Sequence, residues 1–320
     1  MMNTPSESSV PALRHAVVIG CGTMGSDVAV VLARSGARVT LVDSDAVRSQ
    51  AAAERLRGLL PAPLAQQARI DTASAPEAVD WSDVDLAVEN VPERLVLKQS
   101  VFATLDRLAP AHTLLASNSS GMPISEIGRG LAGTRRMYGL HFFMPAHLVP
   151  LVEVVMGADS DPVRAQHLFT WMRRCGSVPV LVRKDLPGFL ANRLQHALSR
   201  EAFALIDDGI VSPEDVDNAV RFGFGFRFLA AGPVLQRDHG GMDVHCAAAA
   251  TIYPSLCNGS EPARTLREHV AAGHLGLKVG RGFFEWTPEQ KAAEQERYAR
   301  LLKQGLALLA DELPKPEGRA

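Results

Sequence analysis

The chain has 320 residues, 47% of them hydrophobic and 21% charged, with a formal net charge of −2. Such a chain can bury a sizeable core and divide into two domains, which excludes a disordered protein. Near-neutral charge without a run of one sign excludes nucleic acid or an anionic membrane as main partner, and no apolar stretch approaches membrane-spanning length.

The opening MMNTPSESSVPALRH is polar and lacks the apolar core of a signal peptide. The first predicted strand, 15–20, leads into VVIGCGTMG (17–25), a G-x-G-x-x-G that follows a strand and opens a helix predicted over 25–36. In that context the motif points to a dinucleotide. Gly20 permits the tight turn, Gly22 lets a pyrophosphate approach the backbone, and Gly25 allows close helix–strand packing, with Thr23 and Met24 completing the loop. The phosphates then meet free N–H groups and the positive end of the helix dipole. The second strand, 37–43, ends on Asp43, where a carboxylate accepts hydrogen bonds from a ribose diol and repels a 2′-phosphate. NAD is therefore expected over NADP. The bland alternative is a structural glycine turn, with Asp43 capping the next helix.

Further strands are predicted at 84–91, 112–118, 137–143, 151–157 and 177–182, with a helix over 98–109. Strands alternating with helices imply an α/β fold, a Rossmann-type doubly wound parallel sheet. The strand at 137–143 carries His141 and the strand at 151–157 carries Glu153. Both are polar groups in apolar runs, and each is costly to bury without a partner. Adjacent strands bring them within hydrogen-bond reach, where the carboxylate fixes the tautomer of the imidazole and makes it a general base. A purely structural buried pair is the alternative.

After KDLPGF (184–189) the pattern changes. Residues 190–209 have helical spacing and end on Gly209 as a C-cap, and SPEDVDNAV begins with Ser212 as N-cap and Pro213 at the first helical position. Helices predominate to Ala310. The expected domains are 1–185, a nucleotide-binding domain carrying the His/Glu pair, and 186–320, a mainly helical substrate and dimerisation domain. The closing DELPKPEGRA is expected to be loose. The four cysteines (Cys21, Cys175, Cys246, Cys257) form no C-x-x-C and no cluster with histidine, so no metal site is expected and a reducing cytoplasm fits better than a disulfide scaffold.

An ordered series of motifs carries a resemblance over nearly the whole chain: GCGTMG (20–25), ENVPERLVLK (89–98), ASNSS (116–120), GLHFFMP (139–145), LVEVV (151–155), KDLPGFLANR (184–193), GFGFRFLAAGP (223–233), DHGGMD (238–243) and LGLKVGRGFFEW (275–286). With these the chain resembles the L-3-hydroxyacyl-CoA dehydrogenases. The resemblance implies that His141 is the catalytic base and Glu153 its partner, and that Ser120 and Asn192 hold the substrate oxygen. It places Glu93, Lys98 and Asn118 around the nicotinamide ribose of NAD. Read alone, Ser120 is a turn residue, Asn192 a hydrogen-bonder at a helix start, and Lys98 part of a solvated face. The implied reaction is oxidation of a secondary alcohol β to a carboxyl or thioester group, in a homodimer.

Three departures bear on the substrate. The interval from Asp43 to Glu89 contains no lysine, although Arg48, Arg55, Arg57 and Arg69 remain, whereas the acyl-CoA enzymes typically carry a long lysine-rich helical pair there. Met144 stands where the family usually has asparagine. The stretches 146–155 and 192–217 look more like the branch acting on free acids, which includes L-gulonate 3-dehydrogenase (lambda-crystallin), L-carnitine dehydrogenase and a pyridine-carboxylate dehydrogenase. The small-molecule substrate is thus a 3-hydroxyacyl-CoA or a free 3-hydroxy acid, with a lean to the latter. A non-catalytic, crystallin-like NAD-binding protein is the alternative from another class. The 3-hydroxyisobutyrate/6-phosphogluconate type, which uses a lysine base, is separated by the His141/Glu153 pair and by KDLPGFLANR.

Overall fold

The computed structural model describes residues 9–318, so the first eight residues of the polar N-terminal segment lie outside the described residues. Two compact units are present, one made of residues through 192 together with the tail from 311, the other of 193–310. The first unit is built on a sheet of eight strands in the order β3-β2-β1-β4-β5-β6-β7-β8. The strands are β1 (His15–Ile19), β2 (Arg38–Val42), β3 (Ile70–Ala73), β4 (Leu86–Glu89), β5 (Leu114–Ser117), β6 (Met137–Phe142), β7 (Leu151–Met156) and β8 (Val178–Val182). Every neighbouring pair is parallel except β6 and β7. Helices α1 (Thr23–Ala33), α2 (Ala46–Leu59), α3 (Ala62–Gln67), α4 (Leu95–Leu108), α5 (Ile124–Ile127) and α6 (Pro162–Arg174) connect the strands.

The central strands are apolar on both faces because helices cover both, as parallel sheets require. Two buried clusters result. One gathers Val28, Leu32, Leu41, Leu56 and Leu168 among others, and the second gathers Val17, Phe102, Leu105, Leu115 and Ile127. The expected doubly wound sheet is present, with one added strand. β3 was not predicted: IDTA has a single large apolar residue, and as an edge strand it needs no continuous apolar run.

Helix α7 (Ala191–Asp207) begins at the end of the first unit. The second unit continues with α8 (Pro213–Ala219), α9 (Gly225–Arg227), α10 (Leu235–Gly240), α11 (Met242–Ile252), α12 (Arg264–Ala271) and α13 (Pro288–Leu308). Ser212 caps α8 by accepting from Asp215 N–H, with Pro213 at its first position, and Gly209 takes the left-handed φ of +68° that ends α7. The described part of the tail is not loose. Glu317 N–H donates to the Arg174 carbonyl, Gly318 N–H to the Arg34 carbonyl, and the Glu317 carboxylate meets Arg174 Nε at 2.9 Å, so the tail is tied to α1 and α6.

Candidate active site

The glycine loop leaves β1 at Gly20, whose φ of +89° only glycine adopts without strain. A Cβ on Gly25 would sit 1.8 Å from the Gly20 carbonyl oxygen, so the loop closes on itself only because position 25 has no side chain. A Cβ on Gly22 would meet nothing within 4 Å. That open space over the start of α1, beside exposed Thr23 and half-buried Met24, fits a pyrophosphate. Asp43 follows β2 and is fixed from two sides: Oδ2 accepts from Cys21 N–H at 2.8 Å and Oδ1 from Asp45 N–H at 2.9 Å. A carboxylate so oriented at the carboxyl edge of the sheet fits the ribose diol of NAD. Burial pushes the Cys21 thiol up to about 12, so it stays protonated beside this loop.

β6 and β7 pair antiparallel with His141 directly opposite Glu153. The two side chains meet with Nδ1 2.6 Å from Oε2, His141 being 4% and Glu153 0% exposed. Glu153 has a second task that the sequence did not reveal. Its Oε1 accepts from Leu190 N–H at 3.0 Å and Ala191 N–H at 2.8 Å, at the start of α7. Burial pushes this carboxyl up, but the hydrogen bonds from His141, Ala191 and Leu190 outweigh it and hold it below the usual glutamate value. An ionised Glu153 can only accept, so Nδ1 of His141 carries a proton, and the neutral form of the imidazole has its lone pair on Nε2.

Phe189 makes the approach to α7 possible. It is 3% exposed and has a φ of +50°, a conformation that side chains other than glycine rarely take. Its ring stands edge-on to His141 at 5.7 Å between centroids, and Phe143 covers the imidazole from 4.4 Å. The two N–H groups that follow Phe189 are those that Glu153 holds.

His141 opens into a pocket of about 360 Å³ that is also lined by Met24, Glu93, Asn118, Ser120, Met144 and Asn192. The structure thus brings six of the thirteen site residues named from the sequence to one pocket: Met24, Glu93, Asn118, Ser120, His141 and Asn192. Asn192 Nδ2 donates to the Ser120 backbone carbonyl at 2.8 Å, which ties the Asn192 side chain to the segment that carries Ser120. Asn118 is locked, with Nδ2 donating to Asn90 Oδ1 at 2.8 Å and Oδ1 accepting from Phe142 N–H at 2.9 Å. Lys98 is not on a solvated face. At 1% exposure its ammonium lies 2.9 Å from Glu89 Oε1 and 3.2 Å from Glu93 Oε2, and Glu89 also accepts from Ser117 Oγ at 2.7 Å. Glu93 in turn accepts from Ser119 Oγ at 2.5 Å and Ser120 N–H at 3.1 Å. Glu89, Ser117 and Ser119 went unassigned in the sequence. The signal for Glu89 was the E-x3-E-x4-K spacing of Glu89, Glu93 and Lys98, which puts Lys98 on α4 facing both carboxylates, and the two serines lie in the ASNSS motif (116–120).

Of the four arginines between Asp43 and Glu89, two are engaged with carboxylates: Arg48 with Asp43 and Asp45, and Arg55 with the buried Asp27 at 2.7 Å.

Two family models match consecutive parts of the chain. Residues 15–186 match the NAD binding domain of 3-hydroxyacyl-CoA dehydrogenase and residues 188–286 its C-terminal domain. The 5-formyl-3-hydroxy-2-methylpyridine 4-carboxylate 5-dehydrogenase of Mesorhizobium japonicum is 35% identical over 301 residues, covering 91% of this chain and 96% of that protein. Human mitochondrial hydroxyacyl-coenzyme A dehydrogenase is 31% identical over 292 residues, covering 86% and 91%. Among solved structures, one of a 5-formyl-3-hydroxy-2-methylpyridine 4-carboxylic acid 5-dehydrogenase, described as an NAD+-dependent dismutase, superposes with a TM-score of 0.84. It is 33% identical and covers 92% of this chain and 98% of that one.

Proposed function

Because the chain belongs to the 3-hydroxyacyl-CoA dehydrogenase family of NAD-dependent oxidoreductases, we propose that it oxidises the secondary alcohol of a small 3-hydroxy acid, with His141 as general base and Glu153 as its partner. The observation that carries this reading is the 2.6 Å contact between His141 Nδ1 and Glu153 Oε2, beside a pocket that also holds Ser120 and Asn192. NAD, when bound, supplies the hydride acceptor. Gly20, Gly22, Thr23, Met24, Gly25 and Asp43 would hold its pyrophosphate and adenosine ribose, and Glu93 and Asn118 its nicotinamide end. Lys98, enclosed beneath Glu93, acts through that carboxylate.

His141 Nε2 takes the hydroxyl proton, and the fixed charge of Glu153 stabilises the imidazolium that forms. Asn192 and Ser120 donate to the oxygen where negative charge develops. The rings of Phe143 and Phe189 keep water from the faces of the imidazole. General-base catalysis of this kind contributes about 10²–10⁴ in rate.

The lean towards a free acid rests on three points. Arg55 is occupied by the buried carboxylate of Asp27, no lysine lies between Asp43 and Glu89, and a pyridine-carboxylate dehydrogenase is similar over nearly the whole chain. NADH formation measured with free 3-hydroxy acids and with 3-hydroxybutyryl-CoA tests it. The expected result is a higher kcat/KM for a free acid, and a higher value for the thioester would overturn it. No NADH from either class would favour the non-catalytic alternative.

A homodimer through the helical unit is the proposed assembly. None of the described residues of that unit is buried, and Phe222, Phe226 and Tyr253 are 69%, 64% and 71% exposed. Apolar surface on this scale needs cover. Light scattering at micromolar concentration should give twice the chain mass, and a monomer would contradict the proposal. The cytoplasm is the proposed location, on the four free thiols. Among the described residues no helix is long and apolar enough to cross a membrane.

A further inference from the structure

Arg48 stands in the first turn of α2, next to the carboxylate that the cofactor reading assigns to the adenosine ribose. Its Nη1 lies 3.4 Å from both oxygens of Asp43, and its Nη2 lies 3.3 Å from Asp45 Oδ2. Charge-assisted contacts of a tightly bound guanidinium are about 2.7–2.9 Å long. These are longer, and the Arg48 side chain is 54% exposed while Asp43 is 5% exposed. Asp43 cannot move, because Cys21 N–H and Asp45 N–H each hold one of its oxygens. Arg48 can. Its planar fork has the geometry that binds phosphate in two-point fashion.

The two groups act in opposite senses on a ribose 2′-substituent. Asp43 accepts from a 2′-hydroxyl and repels a 2′-phosphate, whereas Arg48 attracts the phosphate and does little for the hydroxyl. We propose that Arg48 is a specificity-determining residue for the cofactor: a 2′-phosphate receptor held in check by Asp43, so that removing the Asp43 charge alone turns the site towards NADP. Asp45 keeps the guanidinium at the start of α2, where it borders the ribose position, and its own charge limits the size of the switch. The proposal rests on the reading that Asp43 holds the ribose.

The test is binding rather than turnover. NADH and NADPH are titrated by fluorescence into wild type, Arg48→Ala, Asp43→Ser and the double variant, with adenosine 2′,5′-bisphosphate as a competitor that lacks the nicotinamide. Melting temperatures are recorded beside each titration. Asp43→Asn, which keeps the size and one acceptor, takes the place of Asp43→Ser if the serine variant is unstable. In Asp43→Ser, NADPH and the bisphosphate should bind about tenfold more tightly than in wild type, and adding Arg48→Ala should remove most of that gain while moving NADH by less than about threefold. A double variant that binds NADPH as well as Asp43→Ser would overturn the proposal. So would an Asp43→Ser protein without any gain, or an Arg48→Ala protein that loses NADH and NADPH equally. Failure of the ribose reading shows differently: Asp43→Ser would then leave NADH binding unchanged.

Discussion

Replacing Glu153 by glutamine keeps the shape of a fully buried side chain and changes what one of its two atoms can do. The carboxylate accepts three hydrogen bonds, two from Leu190 and Ala191 N–H on Oε1 and one from His141 Nδ1 on Oε2. A glutamine can place its oxygen against the two backbone N–H groups or against the imidazole. The second orientation sets an NH₂ against two further donors, so the first wins. The NH₂ then faces Nδ1, which must become an acceptor, and the imidazole proton moves to Nε2, the atom that has to receive the alcohol's proton. In the serine-protease triad the corresponding acid-to-amide exchange costs about 10⁴ in turnover by the same fault of tautomer. We expect Glu153→Gln to lose about 10³–10⁴ in kcat while NADH binding is retained. Charge-assisted bonds become neutral ones at a cost of about 1–3 kcal/mol, a fall of several degrees in Tm.

The acid dependence of stability carries the sign of the shift. The Glu153 carboxyl lies below its ordinary value in the folded protein. The stability it contributes is therefore complete above the ordinary glutamate range and is lost as pH falls through the lowered folded value. The Tm gap between wild type and Glu153→Gln should be constant near neutrality and close in acid. NADH formation and thermal melts over a pH series measure both effects. A folded Glu153→Gln protein with turnover within tenfold of wild type would refute the reasoning.

Two further outcomes follow from the same packing. Lys98→Met leaves Glu89, 0% exposed, with a buried charge and no cation, which should cost about 3–5 kcal/mol and lower Tm by about 10 °C. Adding Glu89→Gln to that variant should restore part of the loss, and a Lys98→Met protein melting like wild type would show the ion pair to be unimportant. Gly25→Ala puts a methyl 1.8 Å from the Gly20 carbonyl oxygen, so the loop must shift. NADH binding measured by fluorescence should weaken by more than about tenfold, since close backbone approach to the pyrophosphate depends on that turn, and unchanged binding would count against the loop's assigned task.

The parallel sheet was legible because its central strands are apolar on both faces and alternate with helices. The place of Asp43 was legible for a similar reason: the apolar run of the second strand stops there, and the residue lies beside the glycine loop. The pairing of His141 with Glu153 needed the antiparallel register of β6 and β7, which an apolar run does not specify by itself. What escaped depends on contacts distant in sequence. Strand β3 forms by pairing with β2 and has little apolar pattern of its own. The tail carries no periodicity, yet Glu317 and Gly318 find partners on Arg174 and Arg34. Glu153 accepting from the first turn of α7, and the left-handed backbone of Phe189 that aims those N–H groups, are properties of a closed structure. No local propensity announces them, and a non-glycine residue at φ +50° runs against propensity.

The central claim is that His141 is the base of an alcohol oxidation. Its most direct test is His141→Gln, assayed for NADH formation on the substrate that wild type uses, with Tm and NADH affinity measured on the same preparation. The account predicts a folded protein that binds NADH nearly as wild type does and turns over about 10²–10⁴ more slowly. A folded, NADH-binding His141→Gln protein with full activity would contradict it.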